Sequence, residues 1–351
     1  MRLDDLIKSP GEWLQGSGPQ SPIVISSRCR LARNLSDFPF SHWADESQRA
    51  AVAEGITLAA HGVGQLADAL EVDLDAIEEL DRLLLVERHL ISPEQADGPG
   101  GRRVIIGERE MLSLMVNEED HLRIQCLTSG FAVTDVWRLA NTLDDELGAT
   151  LDFAYSSEWG YLTACPTNVG TGMRASAMLH LPALVMSRQI NKVIQAIGKL
   201  GLVARGLFGE GTQPSGNFFQ ISNQITLGQS EDAVIGGLES VVRQIVGHEK
   251  TAREMLLRQK QAQTEDRVFR AAGLLRHARI ISSQETIDLL SDLRLGVDLG
   301  LIEDVSPAAV NELFILTQPA HLQKLCGKPL EPAERDIRRA DIIRQRLADG
   351  R

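Results

Sequence analysis

The apolar positions of this chain fall into two regimes. Up to about residue 225, short runs alternate with a period of two. Ile23-Val24-Ile25 leads into Ser26-Ser27-Arg28-Cys29-Arg30-Leu31, and similar runs cover Arg103 to Ile106, Leu112 to Val116, Leu122 to Leu127, Leu151 to Tyr155, Tyr161 to Ala164 and Asn217 to Asn223. Such alternation sends successive side chains to opposite faces of a strand. The three runs between 103 and 127 predict an antiparallel hairpin. Between the strands, periods near 3.6 predict helices over 45–60, 73–84 and 134–147, the last capped by Thr134 and stopped at Gly148. Ser92-Pro93-Glu94-Gln95 supplies an N-cap, a proline at the first helical position and a capping box for a short helix. Ser230 opens a long helix with Val234, Leu238, Val241, Val242 and Ile245 on one face. Beyond about residue 256 strand signals vanish. Helices are expected over 262–279 and 283–296, from Ser306-Pro307 to Thr317, and over 332–348. The pattern therefore predicts an α+β domain over residues 1–255 and an all-helical domain over 256–351.

Composition narrows the function. At 351 residues, 43% hydrophobic and 24% charged, the chain can bury a real core. No apolar run approaches the roughly 20 residues that span a bilayer, and the acidic start Met1-Arg2-Leu3-Asp4-Asp5 has no signal core, so a cytoplasmic protein is expected. Cys29, Cys126, Cys165 and Cys326 form no paired spacing, which points to neither a zinc site nor a disulfide framework. The net charge of −12 resides in the first 255 residues, with 34 acidic against 21 basic side chains; the remainder has 14 against 15. That balance disfavours nucleic acid as a ligand and suits a cationic substrate. Of the seven lysines none lies between Lys8 and Lys192, and the P-loop pattern is absent. A phosphate ligand would have to be held by arginine.

The candidate chemistry gathers in four stretches. Glu118-Glu119-Asp120, followed by Arg123, places three carboxylates in succession. Mutual repulsion makes this poor structural material, and it suits a site that holds a cation beside an anion; a solvated acidic turn is the plainer alternative. Arg28 and Arg30 share a strand face about 7 Å apart, which calls for an anion between them unless they form a protective basic edge. Cys165 to Arg174 is a glycine-bearing loop, expected to open onto a helix with Met178, Leu181, Leu184 and Val185 and to offer its N–H groups, with Arg174, to an anion. Arg205 to Gly211 is a glycine-rich loop holding Arg205 and Glu210. Five arginines (Arg28, Arg30, Arg123, Arg174 and Arg205) suffice to grip a triphosphate whose charge Mg²⁺ also neutralises. Two carboxylates, Glu119 and Glu210, would align a guanidinium and accept its proton.

The segments VNEEDHLR, CPTNVGTGMR, SSRCRLAR and RGLFGEG resemble, in the same order, the catalytic half of the phosphagen (guanidino) kinases over roughly residues 20–250. The resemblance implies an antiparallel sheet flanked by helices that carries ATP, with the five arginines as its phosphate ligands. It implies a nucleotide contact for His89, although a satisfied surface histidine is an equal alternative. It also makes Glu119 the carboxylate that binds the acceptor guanidinium and serves as base, Glu210 its partner, and Cys165 a thiol close to the acceptor nitrogens. Two departures matter. Only some 22 residues precede the first arginine-bearing strand, so the small-substrate domain of phosphagen kinases is expected to be missing and the site open. The helical region past 256 has no phosphagen-kinase counterpart and is similar to that of bacterial protein-arginine kinases. There the run RDIRRA implies a phosphoarginine pocket of Arg335, Asp336, Arg339 and Ala340, with a solvated basic helix end as the alternative. The implied protein is an ATP- and Mg²⁺-dependent protein-arginine kinase and a homodimer. It would mark proteins for a Clp-type unfoldase and protease under stress, with a zinc-binding activator protein. A kinase for free arginine or another small guanidine, or a catalytically silent phosphoarginine reader, remains the alternative.

Overall fold

The computed structural model describes residues 3–7, 10–206 and 215–349. The chain runs through β1 (Val24–Arg33), α1 (Glu46–His61), β2 (Leu70–Asp73), α2 (Glu79–Glu87), α3 (Pro93–Asp97), β3 (Arg103–Ile106), β4 (Leu112–Val116) and β5 (Leu122–Ser129). Next come α4 (Val133–Gly148), the two-residue strands β6 (Tyr155–Ser156) and β7 (Gly160–Tyr161), β8 (Met173–His180), α5 (Pro182–Met186), α6 (Ile190–Gly198), β9 (Leu202–Arg205) and β10 (Phe218–Asn223). Helices α7 (Glu231–Gln259), α8 (Gln261–His277), α9 (Ser283–Asp298), α10 (Pro307–Leu316), α11 (Pro319–Cys326) and α12 (Pro332–Ala348) complete the described chain.

Eight strands form one sheet in the order β2-β3-β4-β5-β1-β8-β10-β9, with every neighbouring pair antiparallel. Because β1 alternates, Cys29 and Leu31 fall on one face and Arg28 and Arg30 on the other. The apolar face joins Cys126, Ile124, Ala175 and Ala177 of neighbouring strands to residues of α1, α4 and α7 in the largest core. Among the described residues, apolar clusters cover the opposite face at its ends. At one end Val104, Ile106 and Met115 pack with Leu85 of α2, Leu90, Ile91 and Ala96 of α3. At the other, Ile25, Leu127 and Phe218 share a core with Trp13, Leu14 and helices α8, α9, α10 and α12. The band left between carries the arginines.

Several expectations need correction. The stretch around Met178 is strand β8 rather than helix: Met173, Ala175, Ala177 and Leu179 alternate inward, and a helix starts only at Pro182. Arg174 therefore sits within a strand, not at a helix N-terminus. The turn before it is set by backbone crowding. Gly170 and Gly172 have φ of +111° and +63°, and a Cβ on them would lie 2.4 Å from Thr226 O and 2.6 Å from Ala32 O. Helix α4 begins at Val133 with Ala132 before it and no side-chain cap; Thr134 instead donates to Glu239 of α7 at 2.8 Å. Residues 70–73 form an edge strand before α2, and β9, α6 and α11 were not anticipated. Helix α7 runs through residue 255 to Gln259 and hands over to α8 at Lys260.

Charged residues are buried where they are paired. Arg33 at the end of β1 is 1% exposed and grips Asp144 of α4 through Nε (2.9 Å) and Nη2 (2.7 Å), beneath the ring of Tyr161 at 3.4 Å. Glu249 of α7 accepts from the first N–H groups of α5, at Ala183 and Leu184, and from Arg253. Arg253 and Arg294 both reach Asp298 of α9. Removing one member strands a buried charge, so Asp144→Ala is expected to lower stability by about 3–5 kcal/mol. Urea unfolding reads this directly; a loss under about 1 kcal/mol would show that the pair is dispensable.

Candidate active site

The five arginines reach the uncovered band from four strands. Arg28 and Arg30 come from β1, Arg123 from β5, Arg174 from β8 and Arg205 from the end of β9. Register explains the convergence. Arg30 stands opposite Gln125 of β5 on one side and Arg174 of β8 on the other, while Arg205 stands opposite Gln220 of β10. A cleft of about 120 Å³, open to solvent, is lined by Arg28, Arg30, Arg123 and Arg205 together with His89 and Gln125. Arg174 lies behind it, donating to Asn168 Oδ1 at 3.2 Å. Burial pushes the Arg30 guanidinium far below its usual pKa, and Arg28, Arg123 and Arg174 push the same way. Its Nε is buried with no hydrogen-bond partner. Such crowding is relieved by an anion with several oxygens, each able to accept from more than one guanidinium.

The three successive carboxylates have three different jobs. Glu118 is buried, pairs with Arg123, accepts from Ser92 Oγ at 2.6 Å, and is held below its ordinary pKa despite burial by Arg123 first among its partners. Asp120 is also buried and accepts from Asn34 Nδ2 and from the backbone N–H of Ala164, both at 2.7 Å. Asn34 reaches further, donating to Leu162 O and accepting from His121 N–H. The pair thereby joins the acidic turn to the segment that delivers Cys165. Glu119 alone is left accessible. Its pKa is raised by burial, then by Asp120 and Glu118, and eased by Arg123 and a hydrogen bond with the Cys165 thiol. Cys165 Sγ also lies 3.0 Å from Thr167 Oγ1. A carboxylate whose pKa is raised in this way is a stronger base than an ordinary surface glutamate.

His89 closes one side of the cleft. Helix α2 ends with His89 N–H on Val86 O and Leu90 N–H on Leu85 O, both 2.9 Å. This is a C-terminal motif whose left-handed position glycine usually fills. Here a histidine takes it at φ +60°, a placement that costs about 1 kcal/mol or more. Its ring lies edge-on to Trp13 at 5.2 Å between centroids, and burial with the nearby Arg28 holds it neutral, with a pKa of about 3.

Not every expected residue is brought to the cleft. Glu210 lies outside the described residues. In α12 the structure places Arg335 and Asp336 half-buried and Arg339 1% exposed. Arg339 donates through Nε to Thr317 O and through Nη1 to Ile281 O, both 2.9 Å, and pairs with Asp336. Ala340 is buried beside it. In this conformation Arg339 is thus engaged in joining α12 to its neighbours. Sequence reasoning passed over Asn34, Gln125 and Gln220, took Ser92 only as a helix cap, and left Asp120 undistinguished within the acidic run. The glutamines carry a signal: each is a polar residue in a strand whose alternation puts it on the arginine face.

The comparisons with known proteins follow this geometry. Residues 56–252 match the family described as ATP:guanido phosphotransferase, C-terminal catalytic domain. Residues 261–351 match the family described as protein-arginine kinase McsB C-terminal domain. A protein-arginine kinase of Desulforamulus reducens is 48% identical over 351 residues, covering 99% of this chain and 98% of that one. One from Moorella thermoacetica is 50% identical, with coverage of 96% and 97%. Among solved structures, the duplicated taurocyamine kinase of Schistosoma mansoni with bound transition-state-analogue components matches with a TM-score of 0.61 at 27% identity, over 70% of this chain and 35% of that one. A lombricine kinase matches with a TM-score of 0.59 at 25% identity, over 67% and 68%.

Because the arginines repel one another when no anion is present, Arg30→Met is expected to raise the urea midpoint of the unliganded protein. The same variant should lose most of the stabilisation given by tripolyphosphate, which amounts to about 2.7 kcal/mol at a hundredfold excess over its Kd. A less stable unliganded variant with undiminished stabilisation by tripolyphosphate would contradict this account of the cluster.

Proposed function

The chain belongs to the protein-arginine kinase family, and from that premise we propose that its arginine-lined cleft binds ATP and passes the γ-phosphoryl group to arginine side chains of proteins. The observation that carries the reading is the crowded, partly unsatisfied Arg30 cluster with an accessible, proton-hungry Glu119 at its edge. Arg28, Arg30, Arg123, Arg174 and Arg205 hold the phosphates. Among the described residues no group of three or more His, Cys, Asp or Glu converges as a metal site. Mg²⁺, a hard cation that favours phosphate oxygens and water, suits this arrangement by entering with the nucleotide and supplying charge neutralisation.

Glu119 binds the acceptor guanidinium, aligns one nitrogen with the γ-phosphorus, and accepts the proton that nitrogen loses. A P–N bond forms as the bond from phosphorus to the bridging oxygen of the leaving ADP breaks. The arginines take up the charge that develops on that oxygen. Cys165 steadies the Glu119 carboxylate by hydrogen bonding, and Asn34 with Asp120 fixes both segments. Glu210, by resemblance, is the second carboxylate on the acceptor. A phosphoarginine pocket at Arg335, Asp336, Arg339 and Ala340 belongs to the same proposal and requires Arg339 to exchange its internal carbonyl partners for the ligand. A Clp-type unfoldase and protease, a zinc-binding activator, a homodimeric state and a cytoplasmic location rest on the family resemblance. None of the described helices is long and apolar enough to cross a membrane.

An assay with MgATP, an unfolded arginine-rich protein and an equal concentration of free arginine is expected to yield phosphoarginine on the protein only. Products are read by mass spectrometry without acid, which would cleave the P–N bond. Phosphorylation of free arginine instead would move the activity to small guanidines. Glu119→Gln should lower turnover roughly 10²–10⁴-fold and leave ATP affinity intact; near-normal turnover would remove Glu119 from the role of base.

The pH profile tests the electrostatics. Glu119 works deprotonated, so the rate falls as pH drops through its raised pKa. Asp120→Asn takes away a negative neighbour, lowers that pKa, and should move the acidic limb of kcat to lower pH. A limb that stays in place or shifts upward would show that another group sets it.

A further inference from the structure

The cleft and the C-terminal helices meet at three consecutive residues, Glu87, Arg88 and His89. Glu87 leaves the end of α2 and caps a helix far along the chain: its carboxylate accepts from the backbone N–H groups of Ala320 at 2.7 Å and His321 at 3.0 Å. Helix α11 has no side-chain cap from its own N-terminal segment, so these N–H groups would otherwise lack partners. Glu87 also contacts the His321 ring, Nδ1 to Oε2, at 2.7 Å. The other ring nitrogen of His321 faces Arg88 Nη1 at 3.4 Å. Arginine can only donate, so Nε2 accepts and Nδ1–H donates to Glu87, which fixes the tautomer. The ring is fully buried, and its pKa is lowered by that burial although Glu87 opposes the shift. Arg88 in turn grips the buried Glu110 carboxylate.

His89 follows directly, in its left-handed conformation, and forms a wall between two spaces. On one side is the arginine-lined cleft. On the other is a narrow apolar gap of about 20 Å³ lined by Trp13, Leu14, Phe218 and, from α10, Phe314 and Ile315. Its carbonyl accepts from Gln125 Nε2 at 2.7 Å, beside Arg30. The backbone of His89 is thus tied to the C-terminal helices through the two preceding residues.

We propose that Glu87 and His321 are positioning residues through which the C-terminal helical bundle sets the place of His89 in the nucleotide cleft. A shift of α11 pulls on the end of α2 and moves His89 at the edge of the cleft. Nucleotide affinity is then adjusted by the bundle without any bundle residue touching the nucleotide. The inference rests on the reading that His89 faces the nucleotide.

The test is steady-state kinetics of the full chain with varied ATP. Glu87→Ala and His321→Ala are each expected to raise KM for ATP roughly 10-fold with kcat changed less than about twofold. His321→Asn keeps an N–H donor near Nδ1 and should restore most of the affinity. His89→Ala should raise KM similarly, and in that background Glu87→Ala should add nothing, because both act through one side chain. An unchanged KM in His89→Ala would overturn the nucleotide reading of His89 and the proposal with it. A KM effect of Glu87→Ala that persists undiminished in the His89→Ala background would overturn the positioning role alone. Should Glu87→Ala fail to fold, the two His321 variants, alone and combined with His89→Ala, carry the same comparison.

Discussion

Mutual repulsion among arginines is the constraint from which the rest of this molecule follows. Arg28, Arg30, Arg123 and Arg174 are fixed by strand register, so they cannot swing apart to lower their energy. Glu118 supplies a close counter-charge to Arg123, while Arg30, crowded by Arg28, Arg123 and Arg174, keeps a buried Nε that a ligand can satisfy. A stable sheet must therefore be built elsewhere, and it is. The opposite face carries the main core, and smaller apolar clusters pin down both ends of the arginine face. The cleft is a deliberate gap in an otherwise covered sheet.

The acidic turn illustrates how like charges can sit in sequence without wasting stability. Glu118 and Asp120 point into partnered surroundings and act as anchors, one to Arg123 and Ser92, the other to Asn34 and Ala164. Their negative charge is then felt by Glu119, the member between them. What reads in the sequence as a uniform acidic patch is in space one reactive carboxylate held by two structural ones.

Much of this was legible in the chain. Period-two alternation located most strands, and arginine in place of the missing lysines pointed to the phosphate-binding face. The strand at Met173–His180 was misread because Met178, Leu181, Leu184 and Val185 also fit helical spacing, and a glycine loop before them resembled a helix entry. Arg174 was therefore found as a residue but misplaced as an element; only pairing with Arg30 shows where it acts. The roles of Asn34 and Asp120 were invisible because their hydrogen bond joins residues 86 apart. The Glu87–His321 contact spans 234 positions and has no local pattern at all. Arg339 shows a different limit: spacing on a helix tells which side chains share a face, not that this one is buried and donates to Thr317 O and Ile281 O.

Ile25, Leu127 and Phe218 belong to strands of the sheet yet are buried against the C-terminal helices, and Arg253 and Arg294 fasten α7 and α9 to the same carboxylate. The catalytic face and the helical region therefore share one interior. Lifting the phosphotransferase part away from those helices would uncover an apolar patch at the mouth of its own cleft.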